Sequence, residues 1–123
     1  MLTEYQQFIF DEFEKTIQNK KILLKSSEQR AWGKSYTLDE LGYVFQALGY
    51  EVYLLTMFPY SQEHIASDSF PNDPWDFRGR SRNKMVVLVD EYKYSKMLEI
   101  LEFCEEHRIP IVGFVDYNWK EMN

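Results

Sequence analysis

Apolar positions along the first segment of the chain follow the period of an amphipathic helix. They recur every three or four residues, at Tyr5, Phe8, Ile9, Phe13 and Ile17. Thr3 and Gln6 fit a capping box, in which each side chain satisfies a backbone N–H at the helix start. The pattern predicts a helix over residues 3–19 whose aromatic stripe faces the core.

The rest of the chain alternates short apolar runs with amphipathic stretches. Helical spacing marks residues 38–48 and 94–107, and strand-like runs occupy 21–25, 50–58, 84–90 and 109–115. Buried strands that alternate with helices predict a mostly parallel sheet with helices on both faces. We therefore expect an α/β three-layer sandwich, preceded by the N-terminal amphipathic helix.

Length and turn residues set the domain organisation. A chain of 123 residues is large enough for one core, so we expect a single domain over 1–123, with the N-terminal helix within 1–20. Residues 59–84 are interrupted by Pro59, Pro71, Pro74 and Gly79, which predicts an irregular excursion there.

Charge and cysteine content narrow the function classes. A formal net charge of −6 argues against broad binding to nucleic acids or anionic membranes. The single cysteine, Cys104, excludes an intramolecular disulfide and a multi-cysteine zinc cluster. The N-terminus lacks the features of a signal peptide, and no apolar run approaches the roughly 20 residues that span a bilayer. We expect a soluble, cytoplasmic protein with no membrane partner.

Three polar groups follow predicted strands. They are Gly33-Lys34-Ser35, Asp90-Glu91, and Asp116 with Asn118. Because the carboxyl ends of parallel strands meet at one edge of a sheet, where ligands bind, we expect these groups to form one site.

Gly33-Lys34-Ser35 has the chemistry of a phosphate-binding loop. Glycine lets the backbone approach a phosphate, lysine reaches the outer phosphates, and the serine hydroxyl binds Mg²⁺. An alternative interpretation is that Thr37 and Glu40 form a capping box, which would start the helix near Leu38 and leave the three residues in an exposed turn.

"MVVLVDE" is an apolar strand that ends in Asp90 and Glu91. This ending resembles the Walker B motif, in which the aspartate holds Mg²⁺ through water and the glutamate orients or deprotonates the attacking water. The alternative is a strand that ends in two solvated acids.

Over residues 21–118 the chain resembles a compact P-loop NTPase of the class with an added catalytic glutamate, which includes the RecA-like, AAA+ and helicase families. "RAWGKSYTL" is similar to Walker A, "VVLVDE" to Walker B, and "IVGFVDYN" to the strand that carries a polar sensor. A narrower likeness to P-loop thymidine kinases lacks the zinc-bearing lasso of those enzymes. Small ATPases of this sort are common in phage genomes, so the resemblance also suggests a phage origin.

The resemblance implies ATP and Mg²⁺ as ligands and hydrolysis as the reaction. It implies catalytic roles for Glu91 and for Asp116 or Asn118, and metal binding by Ser35 and Asp90. It implies a nucleotide-binding segment of Arg30, Ala31, Trp32, Gly33, Lys34, Ser35 and Tyr36.

Two departures support a rival hypothesis. Glu28 replaces the first glycine of the loop, and no strands follow Asn123 to complete a five-stranded core. The alternative prediction is a catalytically silent module that binds a protein partner, such as a larger ATPase or polymerase, or another copy of itself.

Basic residues cluster within the excursion, at Arg78, Arg80, Arg82 and Lys84. They fit an arginine finger acting on a neighbouring nucleotide, or contact with nucleic-acid phosphates. The alternative is a solvated loop that balances the charges of Asp68, Asp73 and Asp76.

Overall fold

The computed structural model describes residues 2–26, 33–56, 64–68, 84–92 and 97–115. In chain order, the described elements are α1 (Glu4–Gln18), β1 (Ile22–Ser26), α2 (Lys34–Ala47), β2 (Glu51–Thr56), β3 (Met85–Tyr92), α3 (Leu98–His107) and β4 (Ile111–Val115). The predicted alternation of strands and helices is confirmed within these ranges.

The described strands form one parallel sheet in the order β1-β4-β3-β2. The chain therefore crosses from one edge strand to the other after β1 and then returns strand by strand. The prediction of a mostly parallel α/β sheet is confirmed.

Two apolar clusters cover the two faces of the sheet. One cluster joins α1 and α2 to alternate strand residues such as Leu54, Leu88 and Phe114. The other joins α3 to the intervening residues, such as Leu55 and Val89. Since neighbouring residues of a strand point to opposite faces, α1 and α2 lie on one face and α3 on the other. The arrangement is compatible with a three-layer sandwich.

Helix α1 begins as its sequence predicts. Thr3 is the N-cap, and its side chain and that of Gln6 form a complete capping box. The buried face differs from the predicted stripe, because Tyr5 and Phe8 are 47% and 58% exposed. The buried residues of α1 are Gln6, Ile9, Phe10, Phe13 and Ile17.

Helix α2 begins at Lys34 and not near Leu38. Gly33 is its N-cap and has a left-handed backbone with φ of 83°. Thr37 lies inside the first turn, where its hydroxyl donates to the Gly33 carbonyl at 3.0 Å. The capping-box interpretation of Thr37 and Glu40 is therefore wrong, because the left-handed glycine starts the helix one turn earlier.

The buried face of α3 consists of Ile100, Phe103 and Cys104, while Leu98 is exposed. Burial raises the pKa of the Cys104 thiol from 9.0 to about 12, because the thiolate would lose its hydration. The thiol is thus an apolar packing group at neutral pH.

Residues 64–68, part of the predicted excursion, pack on α2 and β2. Asp68 accepts the backbone N–H of Val52 at 2.7 Å, and Asp39 accepts that of Ala66 at 2.7 Å. Asp68 also accepts from the Gln46 amide at 3.3 Å. It is therefore a structural acceptor, whereas Asp73 and Asp76 lie outside the described residues.

Candidate functional site

The candidate site lies where β3 ends beside the start of α2. The register places Asp90 between Phe114 of β4 and Thr56 of β2, near the carboxyl edge of the sheet. Within the described residues, β1 ends and α2 begins at this same edge. The fold therefore brings the start of α2 and the predicted acidic pair to one edge, as expected for parallel strands.

Side-chain contacts join these two sequence groups. The Ser35 hydroxyl donates to a carboxylate oxygen of Asp90 at 3.2 Å, across 55 positions of sequence. The Lys34 ammonium lies 3.6 Å from a carboxylate oxygen of Glu91. Lys34, Ser35, Asp90 and Glu91 thus form one polar cluster, which we call the Lys34–Asp90 cluster.

Burial separates this cluster from an ordinary surface ion pair. Lys34 is only 8% exposed and Asp90 only 3%. Lysine and aspartate are rarely buried to this extent unless they are paired, because loss of hydration disfavours their charged forms. The interpretation of Asp90 and Glu91 as two solvated acids is therefore wrong for Asp90, while Glu91 remains partly exposed.

A backbone irregularity turns Glu91 toward Lys34. Asp90 continues the series of Val86 and Leu88, which face α1 and α2, so a regular strand would direct Glu91 to the opposite face. Glu91 instead has φ of 56°, and the pairing of β3 with β4 shifts register between Asp90 and Tyr92. Such a bulge redirects a side chain, and both acids consequently lie beside the start of α2.

The head of α2, residues 33–37, provides a second kind of anion-binding group. Backbone N–H groups of a first helical turn point out of the helix end, and the helix dipole adds positive potential there. Gly33 enters this turn with a positive φ that favours glycine. These features suit an anion, and a phosphate is the anion that Lys34 and Ser35 would recognise.

The contacting groups also fit magnesium. Mg²⁺ prefers hard oxygen ligands, keeps several waters, and is usually held by one or two protein groups together with substrate phosphates. The Ser35 hydroxyl and the Asp90 carboxylate are such groups. Among the described residues there is no cluster of three or more His, Cys, Asp or Glu that would hold a metal on its own.

A buried hydroxyl lies at the end of β1. Ser26 is the last residue of that strand, and within the described part of the chain its Oγ atom makes no hydrogen bond. A buried polar atom without a partner is uncommon in a folded protein. Sequence patterns did not single it out.

Sequence reasoning also missed Gln6 at this site. Gln6 is 7% exposed, and its side-chain amide lies directly against Gly33. A Cβ atom on Gly33 would overlap the Gln6 Nε2 atom. The capping-box pattern predicted its bond to Thr3 but gave no signal for this tertiary contact.

Other predicted residues have different positions. Tyr36 lies in the first turn of α2 and is 39% exposed. Lys84 donates to the Leu48 carbonyl at 3.2 Å, so this cation binds the end of α2. The remaining predicted residues lie outside the described ranges: Arg30, Ala31, Trp32, Arg78, Arg80, Arg82, Asp116 and Asn118.

Comparisons with models of known protein families, with curated protein sequences and with solved structures found no match. No helix in the described ranges is long and apolar enough to cross a membrane.

Proposed function

We propose that the protein binds ATP with Mg²⁺ in the manner of a P-loop NTPase. The observation that carries the proposal is the Lys34–Asp90 cluster, in which the head of α2 meets the end of β3. Two short sequence patterns that are weak separately are in contact in the fold. The parallel sheet brings them to one edge, and the side-chain contacts of Ser35 with Asp90 and of Lys34 with Glu91 are what support the proposal.

Each member of the cluster has a distinct role in this proposal. Lys34 binds the outer phosphates, and Ser35 and Asp90 hold the metal. Glu91 accepts a proton from the attacking water, for which its partial exposure is suitable. Bound Mg²⁺ would supply charge neutralisation at the phosphates.

Nucleotide binding requires Lys34 to change partner. Its ammonium group lies beside Glu91, and a phosphate must compete with that carboxylate. Lys34 can exchange one anion for another without being left as an unpaired buried charge, which would be costly. Release of Glu91 from Lys34 would at the same time free the carboxylate to act on water.

Thermal unfolding tests the proposal. Saturating Mg-ATP should raise the unfolding midpoint of the wild type, because a ligand that binds only the native state stabilises it. Lys34→Ala should lose this increase. Lys15→Ala is the matched control, since Lys15 is an exposed lysine of α1 and its removal changes the net charge equally. An equal ATP response in Lys34→Ala would place any nucleotide elsewhere.

A second candidate function is a module that binds a protein partner. Four aromatic side chains are exposed on the two helices that share one face of the sheet: Tyr5, Phe8, Tyr36 and Tyr43. Exposed aromatics are enriched at protein interfaces. Self-association tests the simplest case. Sedimentation should show a concentration-dependent larger species that Phe8→Asp removes, and a strictly monomeric wild type would exclude this case.

A further inference from the structure

Buried polar side chains are concentrated at one place in the described structure. Four side chains there are both polar or charged and buried: Gln6, Lys34, Thr37 and Asp90. Three of them belong to the head of α2 or to the end of β3. Gln6 comes from α1, yet its amide lies against Gly33, the N-cap of α2.

Two hydrogen bonds with Thr3 orient Gln6 at the start of its own helix. Its Oε1 atom accepts the backbone N–H of Thr3 at 2.9 Å, and its backbone N–H donates to the Thr3 hydroxyl at 3.1 Å. With Oε1 held toward Thr3, the Nε2 end of the amide faces Gly33. The contact therefore depends on the capped start of α1.

Gly33 sets the backbone direction at the start of α2. It has φ of 83°, and the space beside its Cα atom is filled by the Gln6 amide. Any movement of Gly33 toward α1 would meet this amide, which is bonded to Thr3. The amide thus limits the position of Gly33 on one side.

We propose that Gln6 is a positioning residue for the phosphate site: it holds Gly33 in place and couples the start of α1 to the head of α2. The positioning of the phosphate site rests on the proposed function, whereas the contact between Gln6 and Gly33 does not depend on it. The amide acts through the backbone of Gly33, which aligns the first-turn N–H groups and the side chains of Lys34 and Ser35.

A double-mutant cycle tests the contact without nucleotide. Gly33→Ala should lower the urea midpoint for two reasons, the overlap with Gln6 and the positive φ. Gln6→Ala removes the overlap and the capping contact. In the double variant the overlap is absent, so its loss of midpoint should be smaller than the sum of the single losses. Additive losses would overturn the contact.

Mg-ATP affinity tests the positioning role. Measured on fully folded protein, Gln6→Ala should weaken binding about tenfold, the lower end of the losses that follow removal of a residue orienting a metal ligand. Gln7→Ala is the matched control, because Gln7 is exposed on the same helix and bonds only locally to Asp11 among the contacts described. Equal affinities of wild type and Gln6→Ala would overturn the positioning role.

The two experiments separate failure of this inference from failure of the proposed function. A wild type that binds no Mg-ATP refutes the proposed function. In that case non-additive losses in the cycle still support the contact between Gln6 and Gly33, and additive losses overturn it.

Discussion

Neutralising Glu91 should tighten ATP binding while abolishing hydrolysis. In the structure Glu91 lies 3.6 Å from the Lys34 ammonium, the same group that the proposal assigns to phosphate. Glu91→Gln keeps the size and hydrogen-bonding capacity of the side chain but removes its charge. The variant therefore weakens the competitor for Lys34 and also removes a negative charge from the neighbourhood of the phosphates.

The distance between Lys34 and Glu91 determines how large the gain in ATP affinity should be. Two unit charges at this separation attract by about 5 kcal/mol at an effective dielectric constant near 20. Glu91 is 35% exposed, and water screens the pair toward the ~0–1 kcal/mol of surface ion pairs. We take an intermediate value of about 1–2 kcal/mol, which corresponds to an increase in ATP affinity of about five- to thirtyfold.

Calorimetric titration of Mg-ATP into wild type and Glu91→Gln measures this increase. Glu99→Gln is the control for net charge, because Glu99 is an exposed acid in the first turn of α3, on the other face of the sheet. Its affinity should equal that of the wild type. An unchanged or weaker affinity in Glu91→Gln would refute the competition between Glu91 and phosphate for Lys34. Equal hydrolysis by the two proteins would exclude Glu91 as the base.

Three further predictions concern the metal, the packing of α2 and the buried thiol. Ser35→Ala and Asp90→Asn should weaken ATP binding in Mg²⁺ but not in EDTA, and equal losses in both buffers would contradict their metal role. Gly42→Ala should destabilise the fold, because the new Cβ atom overlaps the Ala66 carbonyl. In an exposed helix the same change stabilises by up to about 1 kcal/mol, so a rise in the urea midpoint would contradict this contact. Since the pKa of Cys104 is raised from 9.0 to about 12, the unfolded chain loses this proton first, and stability should fall as pH rises through that window. Cys104→Ala should show a shallower fall, and an identical pH profile would contradict burial of the thiol.

The helices and strands could be predicted because their apolar periods are long and regular. An apolar run such as that of β3 is typical of a strand that is covered on both faces of the sheet. The buried faces were less predictable, because helical spacing alone does not show which side of a helix the sheet covers. Tyr5 and Phe8 match the helical period yet are exposed, while Phe10 is buried, since the position of α1 on the sheet decides which side is covered.

The candidate site could be predicted in its main members but not in its geometry. Lys34 and Ser35 at the start of α2, and Asp90 and Glu91 at the end of β3, carry recognisable chemistry. The parallel sheet brings the two pairs together. No feature of the short apolar run predicts the bulge at Glu91, although the bulge decides toward which face of the sheet the carboxylate points.

The start of α2 and the contact of Gln6 with Gly33 were both missed. Two sequence patterns within a few residues could each mark the start of α2. The helix begins after the left-handed Gly33 and not at the Thr-x-x-Glu pattern. The contact between Gln6 and Gly33 joins residues of two helices, so no local pattern encodes it.

Titration of ¹⁵N-labelled protein with Mg-ATP tests directly whether the Lys34–Asp90 cluster binds nucleotide. We expect saturable shifts that begin with the amides of Gly33, Lys34 and Ser35 and extend to Asp90 and Glu91. Lys34→Ala should abolish these shifts. Magnesium chloride alone, added to the same concentration, is the control for ionic strength. Absence of any saturable shift, or shifts that leave the head of α2 unchanged, would contradict the assignment of this cluster as a nucleotide site.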